Sequence, residues 1–198
     1  KGVSEQNQLE ECGGKKVIIR AHGIPPHERQ RLHRIDATLL DATCKRVAKV
    51  HAAIKKHARR GFHTVIVGDA DHAEVIGLLG YAEGRGHVIN RLEQVDELPE
   101  SWEKVLLVAQ TTQNEEVFEE IRTRFLQRYP HALVKNTICD STQQRQAEVR
   151  QMCRQVAAMV VVGGYHSGNT LRLADVAREC GVPTYHIETE AELNRQEM

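Results

Sequence analysis

The sequence predicts an α/β protein built from small parallel-sheet units repeated with pseudo-threefold symmetry. Three observations predict it. Short β-branched runs recur along the chain: "KVIIR" (16–20), "HTVIVG" (63–68), "KVLLVA" (104–109) and "MVVVGG" (159–164). Stretches with apolar residues at helical spacing separate them, and strands alternating with amphipathic helices call for parallel α/β layers rather than a sandwich or a bundle. The chain also repeats itself. Displaced by 95 positions, Cys44 falls on Cys139, "VIVG" (65–68) on "VVVG" (160–163), His72 on Ser167, and Glu97-Leu98 on Glu192-Leu193.

The elements follow in order. "KVIIRAHG" (16–23) has the pattern of "KVLLVAQT" (104–111), so the first strand is expected to be the closing strand of an earlier copy. "DATCKRVAKVH" (41–51) opens the next copy, and Val47, Val50 and Ile54 at i, i+3, i+7 mark its helix. Strands at 63–68 and 104–109 complete it, and Phe118, Ile121 and Phe125 mark the helix beyond. In the last copy, Val149, Met152 and Val156 give a helix ahead of the strand at 159–164, and Leu173, Val176 and Ala177 give another. The expected units are a partial first one at 1–40, a complete second at 41–135 and a nearly complete third at 136–198. On this reading the chain is a piece of a three-unit protein, entering midway through one copy and stopping short of the last strand of another.

Composition narrows the functional classes. Lysine plus arginine number 27 and aspartate plus glutamate 27, which gives no electrostatic basis for binding nucleic acid or an anionic membrane. No apolar run approaches the ~18 residues of a membrane span, and the first residues do not resemble a signal peptide. Five cysteines without close pairing suit a reducing cytoplasm. The 11 histidines supply ligands and proton carriers.

In open parallel sheets, ligands bind beyond the carboxyl ends of the strands. The segments there are polar: "AHG", "DADHAE", "QTT" and "YHSGN", which bring His22, His72, Glu74, Gln110, Thr111, Thr112, Ser167 and Asn169. Such residues form turns and caps in any protein, but equivalent positions of repeated units face a common centre. Cys44 and Cys139 stand at equivalent positions ahead of their helices, where a helix N-terminus stabilises a thiolate. They are either two structural cysteines or two thiolates converging on a metal or iron–sulfur centre. The absence of a CxxC pair leaves a zinc ribbon unsupported. Cys153 and Cys180 continue apolar helix faces and are expected in the core, whereas Cys12 in "EECGG" is expected in a loop. "GGYHSGNT" (163–170) has the glycine spacing of a Walker A loop but continues with Asn169 and Thr170 instead of lysine and Ser/Thr, so ATP or GTP chemistry is not expected. A small-residue loop entering a helix still suits an anionic phosphate group.

Six segments, "RAHGIP", "DATCKRVAKVH", "HAEVIGLLG", "AQTT", "NTICDSTQQRQ" and "GGYHSGNTLRL", stand in an order that resembles the 4-hydroxy-3-methylbut-2-enyl diphosphate reductases, the LytB family. The resemblance implies three α/β units around a [4Fe–4S] cluster held by three cysteines, of which Cys44 and Cys139 look like two; the third has no counterpart in this chain. It implies a two-electron reductive dehydroxylation of an allylic diphosphate to isopentenyl and dimethylallyl diphosphates, driven by a ferredoxin- or flavodoxin-type donor. It further implies Glu74 as proton donor assisted by Thr111, with His22, His72, Thr111, Ser167, Gly168 and Asn169 as substrate contacts. Departures from the family pattern are Lys45 and Ala73 in place of prolines and Gly168 in place of serine. Those departures leave a diverged, non-catalytic phosphate-binding or regulatory relative as the alternative, with a structural zinc protein as a further one.

Overall fold

In the computed structural model, which describes residues 3–6 and 8–193, the strands form three separate sheets, all of them parallel. The first joins β1 (Lys16–Ile19) to β2 (Thr38–Asp41), with Lys16 opposite Thr38 and Ile19 opposite Asp41. Between them runs α1 (Pro26–Arg34), begun by a proline whose missing N–H costs nothing at a helix start. Beneath it Leu32 and Ala37 pack with Cys12. Cys12 is therefore no loop residue: it ends a short 3₁₀ turn (Leu9–Cys12) and is buried as a small hydrophobe.

The second sheet has the order β4-β3-β5-β6, made of β3 (His63–Val67), β4 (Gly86–Ile89), β5 (Val105–Ala109) and the two-residue β6 (Leu133–Val134). Its central strands are covered on both faces, which is why "TVIV" and "VLLVA" read as unbroken apolar runs. Val65, Val67, Leu107 and Ala109 meet Phe118, Ile121 and Phe125 of α4 (Glu115–Arg128). Ile66, Leu106 and Val108 face the other way, onto Val50 and Ile54 of α2 (Lys45–Ala58) and Val75 and Leu78 of α3 (Ala73–Gly80). Phe118 has no exposed surface. Phe118→Ala is expected to cost roughly 3–5 kcal/mol of unfolding free energy, read from the denaturant midpoint at unchanged slope.

The third sheet pairs β7 (Met159–Val162) with β8 (Thr184–Ile187), flanked by α5 (Asp140–Cys153) and α6 (Gly168–Glu179). Two sequence expectations fail here. The buried face of α5 is Thr142, Gln146 and Cys153, while Met152 is 49% exposed and Val156 38%. The helix stops at Cys153, so the apolar spacing ran past its end. Its inward face is polar because Gln146 Nε2 donates to the Gln113 carbonyl (3.0 Å) and Gln146 Oε1 accepts from the Glu115 amide (3.3 Å). Cys153 does lie in the core with Ala174 and Ala177, but Cys180, the C-cap of α6, is exposed. No described helix is long and apolar enough to cross a membrane.

Candidate active site

The polar segments lie where the parallel strands end, and the helices starting there fix the side chains. His72 is the N-cap of α3: its Nδ1 accepts from the Glu74 amide (3.1 Å), so the neutral ring carries its proton on Nε2. Ser167 occupies the matching place at α6, its Oγ accepting from the Thr170 amide (3.3 Å) and from Thr170 Oγ1 (3.0 Å). His22, in the loop after β1, meets His72 edge-on with ring centroids 5.1 Å apart. Burial keeps both histidines below their ordinary pKa, Arg20 adding to the effect at His22 and His22 adding to it at His72. His22 Nδ1 is buried without a hydrogen-bond partner among the described residues.

Glu74, in the first turn of α3, is 2% exposed. Its carboxyl is gripped by a single residue: the Thr111 amide donates to Oε1 (2.7 Å) and Thr111 Oγ1 to Oε2 (2.8 Å). Burial raises the Glu74 pKa, and the two Thr111 bonds only partly oppose that. A raised carboxyl pKa withdraws stability as pH rises through it, because the folded state resists the charge that the unfolded chain takes up freely. Glu74→Gln, which retains an oxygen for the Thr111 amide, is therefore expected to raise Tm over the wild type at pH 7. At pH 4, where the wild-type carboxyl is protonated, the gain should vanish in a calorimetric scan.

Three loops converge on Gly168 at the start of α6. A Cβ there would stand 2.8 Å from Thr112 Oγ1, 2.9 Å from Gln110 Nε2 and 3.1 Å from His72 Nε2, so a side chain would force polar groups from two other loops apart. Gln110 is itself fixed, accepting from the Asp69 amide (3.0 Å) and donating to Thr112 Oγ1 (3.1 Å). Asn169 follows, half-buried, in the first turn of α6.

Cys44 and Cys139 are the N-caps of α2 and α5. Each is tied through its own amide to a loop that carries other candidate residues: Cys44 N–H donates to the Ala21 carbonyl (2.9 Å), beside His22, and Cys139 N–H to the Thr111 carbonyl (2.8 Å). The turn into Cys44 is held by Asp41, whose carboxylate accepts from the Thr43 amide (3.0 Å), from Thr43 Oγ1 (2.5 Å) and from Arg29 (2.5 Å). Against the upward push of burial, these bonds bring Asp41 down to a pKa of about 2. The Cys139 thiol is drawn below its ordinary value by Ser141 Oγ (3.1 Å), against burial and with help from helix amides and Arg46. Arg46 pairs with Asp140, joining the first turns of α2 and α5, and its charge reaches both thiols. Among the described residues no group of three or more His, Cys, Asp or Glu side chains is placed to hold a metal ion.

Three supports escaped sequence reading. His51, 6% exposed on α2, stacks on Tyr81 at 4.3 Å, and burial takes its pKa down to about 4. A Cβ at Gly23 (φ +74°) would lie 2.5 Å from its ring, so the loop presenting His22 needs glycine there. Arg172 of α6 pairs with Asp69 (2.5 Å) and borders a cavity of about 150 Å³ with Asn90, Gln113 and Asn114. Arg46 is the third. All three contacts join distant segments, and each residue lies on a helix that starts at a strand end, with nothing local to name its partner.

Fold and site together define a parallel α/β protein whose strand ends gather a buried carboxyl, two neutral histidines and two helix-capping cysteines. The model for the family described as LytB protein matches residues 1–198. The chain belongs to the LytB family. It is 45% identical over 183 residues to the 4-hydroxy-3-methylbut-2-enyl diphosphate reductase of Opitutus terrae, covering 92% of this chain and 63% of that protein. The structure of the E-1-hydroxy-2-methyl-but-2-enyl-4-diphosphate reductase from Plasmodium falciparum superposes with a TM-score of 0.91 at 28% identity, over 97% of this chain and 62% of that one. A second solved structure, (E)-4-hydroxy-3-methyl-but-2-enyl diphosphate reductase, the terminal enzyme of the non-mevalonate pathway, is 42% identical with a TM-score of 0.62, over 92% and 66%. The chain thus spans about 63% of the length of the first curated relatives it matches.

Proposed function

We propose that the protein carries out the two-electron reductive dehydroxylation of 4-hydroxy-3-methylbut-2-enyl diphosphate, giving isopentenyl and dimethylallyl diphosphates in isoprenoid biosynthesis. The observation that carries this reading is the Glu74–Thr111 pair: a buried carboxyl with a raised pKa, held at both oxygens by a residue whose carbonyl accepts from the Cys139 amide. It joins a proton source to a thiol loop in one hydrogen-bonded unit. The sequence similarity to named reductases points the same way.

Cys44 and Cys139 suit an iron–sulfur cluster by their chemistry: soft donors at two helix N-termini, one of them acidified, beside an arginine that reaches both. They would provide two ligands of a [4Fe–4S] cluster, with a third thiol from outside the described residues. Such a cluster supplies electrons and a Lewis acid toward the substrate hydroxyl. The chain's own residues do the rest. Replacing hydroxyl by hydrogen consumes two electrons and two protons and releases water; Glu74, whose burial favours the protonated form, delivers the proton that the departing hydroxyl needs, and Thr111 fixes the direction of its oxygens. His22, His72, Thr111, Ser167 and Asn169, with the Gly168 amide, would hold the diphosphate. Neutral imidazoles offer N–H donors and the start of α6 offers unpaired amides.

A ferredoxin- or flavodoxin-type protein is the proposed electron donor. The free cysteines suit a cytoplasmic setting. The proposed units are 1–40, 41–135 and 136–198; the first boundary falls within β2 (Thr38–Asp41), and residues 1, 2, 7 and 194–198 lie outside the described residues. Calorimetric titration with inorganic diphosphate tests the anion site. His72→Ala is expected to weaken binding roughly 10- to 100-fold, since a hydrogen bond to a charged group contributes about 1.5–3 kcal/mol; unchanged affinity would remove His72 from the site. Turnover of the allylic diphosphate by the reduced, iron-loaded protein is the outright test of the function.

A further inference from the structure

We propose that Cys153 and Cys180 form a redox site of their own, closing to a disulfide that ties the end of α5 to the end of α6. Cys153 is the last residue of α5 and Cys180 caps α6, two helices that pack against each other. Cys153 is buried against Ala174 and Ala177, and Cys180 follows Ala177 by three positions, one turn further along the same face. Because Cys153 packs with Ala177 and both cysteines stand at the C-terminal ends of the two packed helices, the Cys180 position lies next to Cys153 at that end. They differ in access: Cys153 is buried and Cys180 exposed. Burial, followed by the Cys180 thiol, pushes the Cys153 thiol up in pKa. Cys180 is thus the thiol that meets a reagent from solvent, and Cys153 the one that resolves.

The pair stands apart from the candidate active site. At about 1.5 Å per residue, the 14 residues of α5 separate Cys153 from Cys139 by roughly 20 Å. The proposed oxidant is a small dialkyl disulfide of the glutathione class. The Cys180 thiolate attacks one of its sulfurs, forming a mixed disulfide and releasing one small thiolate. The Cys153 thiolate then attacks Cys180 Sγ, breaking the mixed disulfide and releasing the second. Two protein thiols are oxidised, the small disulfide is reduced to two thiols, and the two thiol protons pass to the released thiolates. The closed bond fixes the spacing of α5 and α6, whose opposite ends carry Cys139 and Ser167.

Peptide mapping of the chain after incubation with oxidised glutathione tests this directly. The expected product is a tryptic pair in which the peptide 151–154, holding Cys153, is linked to the one holding Cys180, lighter by two hydrogens than the sum of the free peptides and lost on reduction. In Cys153→Ala the same treatment should leave Cys180 as a stable glutathione mixed disulfide. A wild-type chain in which Cys180 stops at the mixed disulfide, fails to react, or links instead to Cys12, Cys44 or Cys139 would overturn the proposal.

Discussion

Serine at Cys44 or at Cys139 is expected to strip the protein of iron. After anaerobic reconstitution with iron and sulfide, each variant should bind iron at least about 100-fold more weakly than the wild type, because loss of even an outer-shell partner costs ~10–100-fold and these are proposed as direct ligands. Serine places a harder, far less acidic hydroxyl where a thiolate is needed. The local frame should survive: Cys44 and Cys139 hold their loops through backbone amides bonded to the Ala21 and Thr111 carbonyls, which substitution leaves intact. Normal far-ultraviolet dichroism with lost iron is therefore the expected pair of readings. Cys153→Ser, at the far end of α5, is the contrast and should leave iron content unchanged. Full iron loading of Cys139→Ser would remove it from the ligand set.

Glu74→Gln should lower turnover by about 10²–10⁴, the usual contribution of a positioned general acid, or roughly 3–5 kcal/mol in the barrier at 1.36 kcal/mol per tenfold. Iron content and diphosphate affinity should stay close to wild type, because the amide keeps the shape of the carboxyl and an acceptor for the Thr111 amide. The loss then falls on kcat rather than on binding. A variant near wild-type rate would end the proton-donor role. This replacement is also the one expected to raise Tm at neutral pH, so a slow but more stable protein would identify a carboxyl kept buried at a cost in stability.

Much of the architecture was legible because it repeats. The displacement that sets Cys44 on Cys139 also sets His72 on Ser167, and the structure gives these four residues one role in pairs: each begins a helix at the end of a strand. β3 and β5 were readable as continuous apolar runs because both faces are covered. β2, β4, β6 and β8 were not. They are two to four residues long and their burial is mixed, so no period emerges. The buried face of α5 is not legible because Thr142 and Gln146 are polar, and Gln146 looks like a surface residue until the Gln113 carbonyl is brought against it. Cys180 was misplaced for the converse reason: it follows an apolar stripe, but the helix ends there and its cap turns to solvent.

At the site, residue types were legible and contacts were not. Nothing local announces that Thr111 would grip both oxygens of Glu74 across 37 positions, or that Arg46 would reach Asp140 across 94. Such contacts depend on which strand ends lie side by side, a property of the order β4-β3-β5-β6 and of the placing of the third sheet. The departures Lys45, Ala73 and Gly168 leave the frame intact: Lys45 is exposed, Ala73 opens α3, and Gly168 fills a place where a side chain would crowd His72, Gln110 and Thr112.

The most direct measurement is product analysis. The protein, expressed from its complete reading frame, loaded anaerobically with iron and sulfide and chemically reduced, is incubated with 4-hydroxy-3-methylbut-2-enyl diphosphate. The expected result is a mixture of isopentenyl and dimethylallyl diphosphates, formed by the wild type and lost in Glu74→Gln. Recovery of unchanged substrate from protein that binds both iron and diphosphate would contradict the reductase assignment and leave a diphosphate-binding relative of those enzymes.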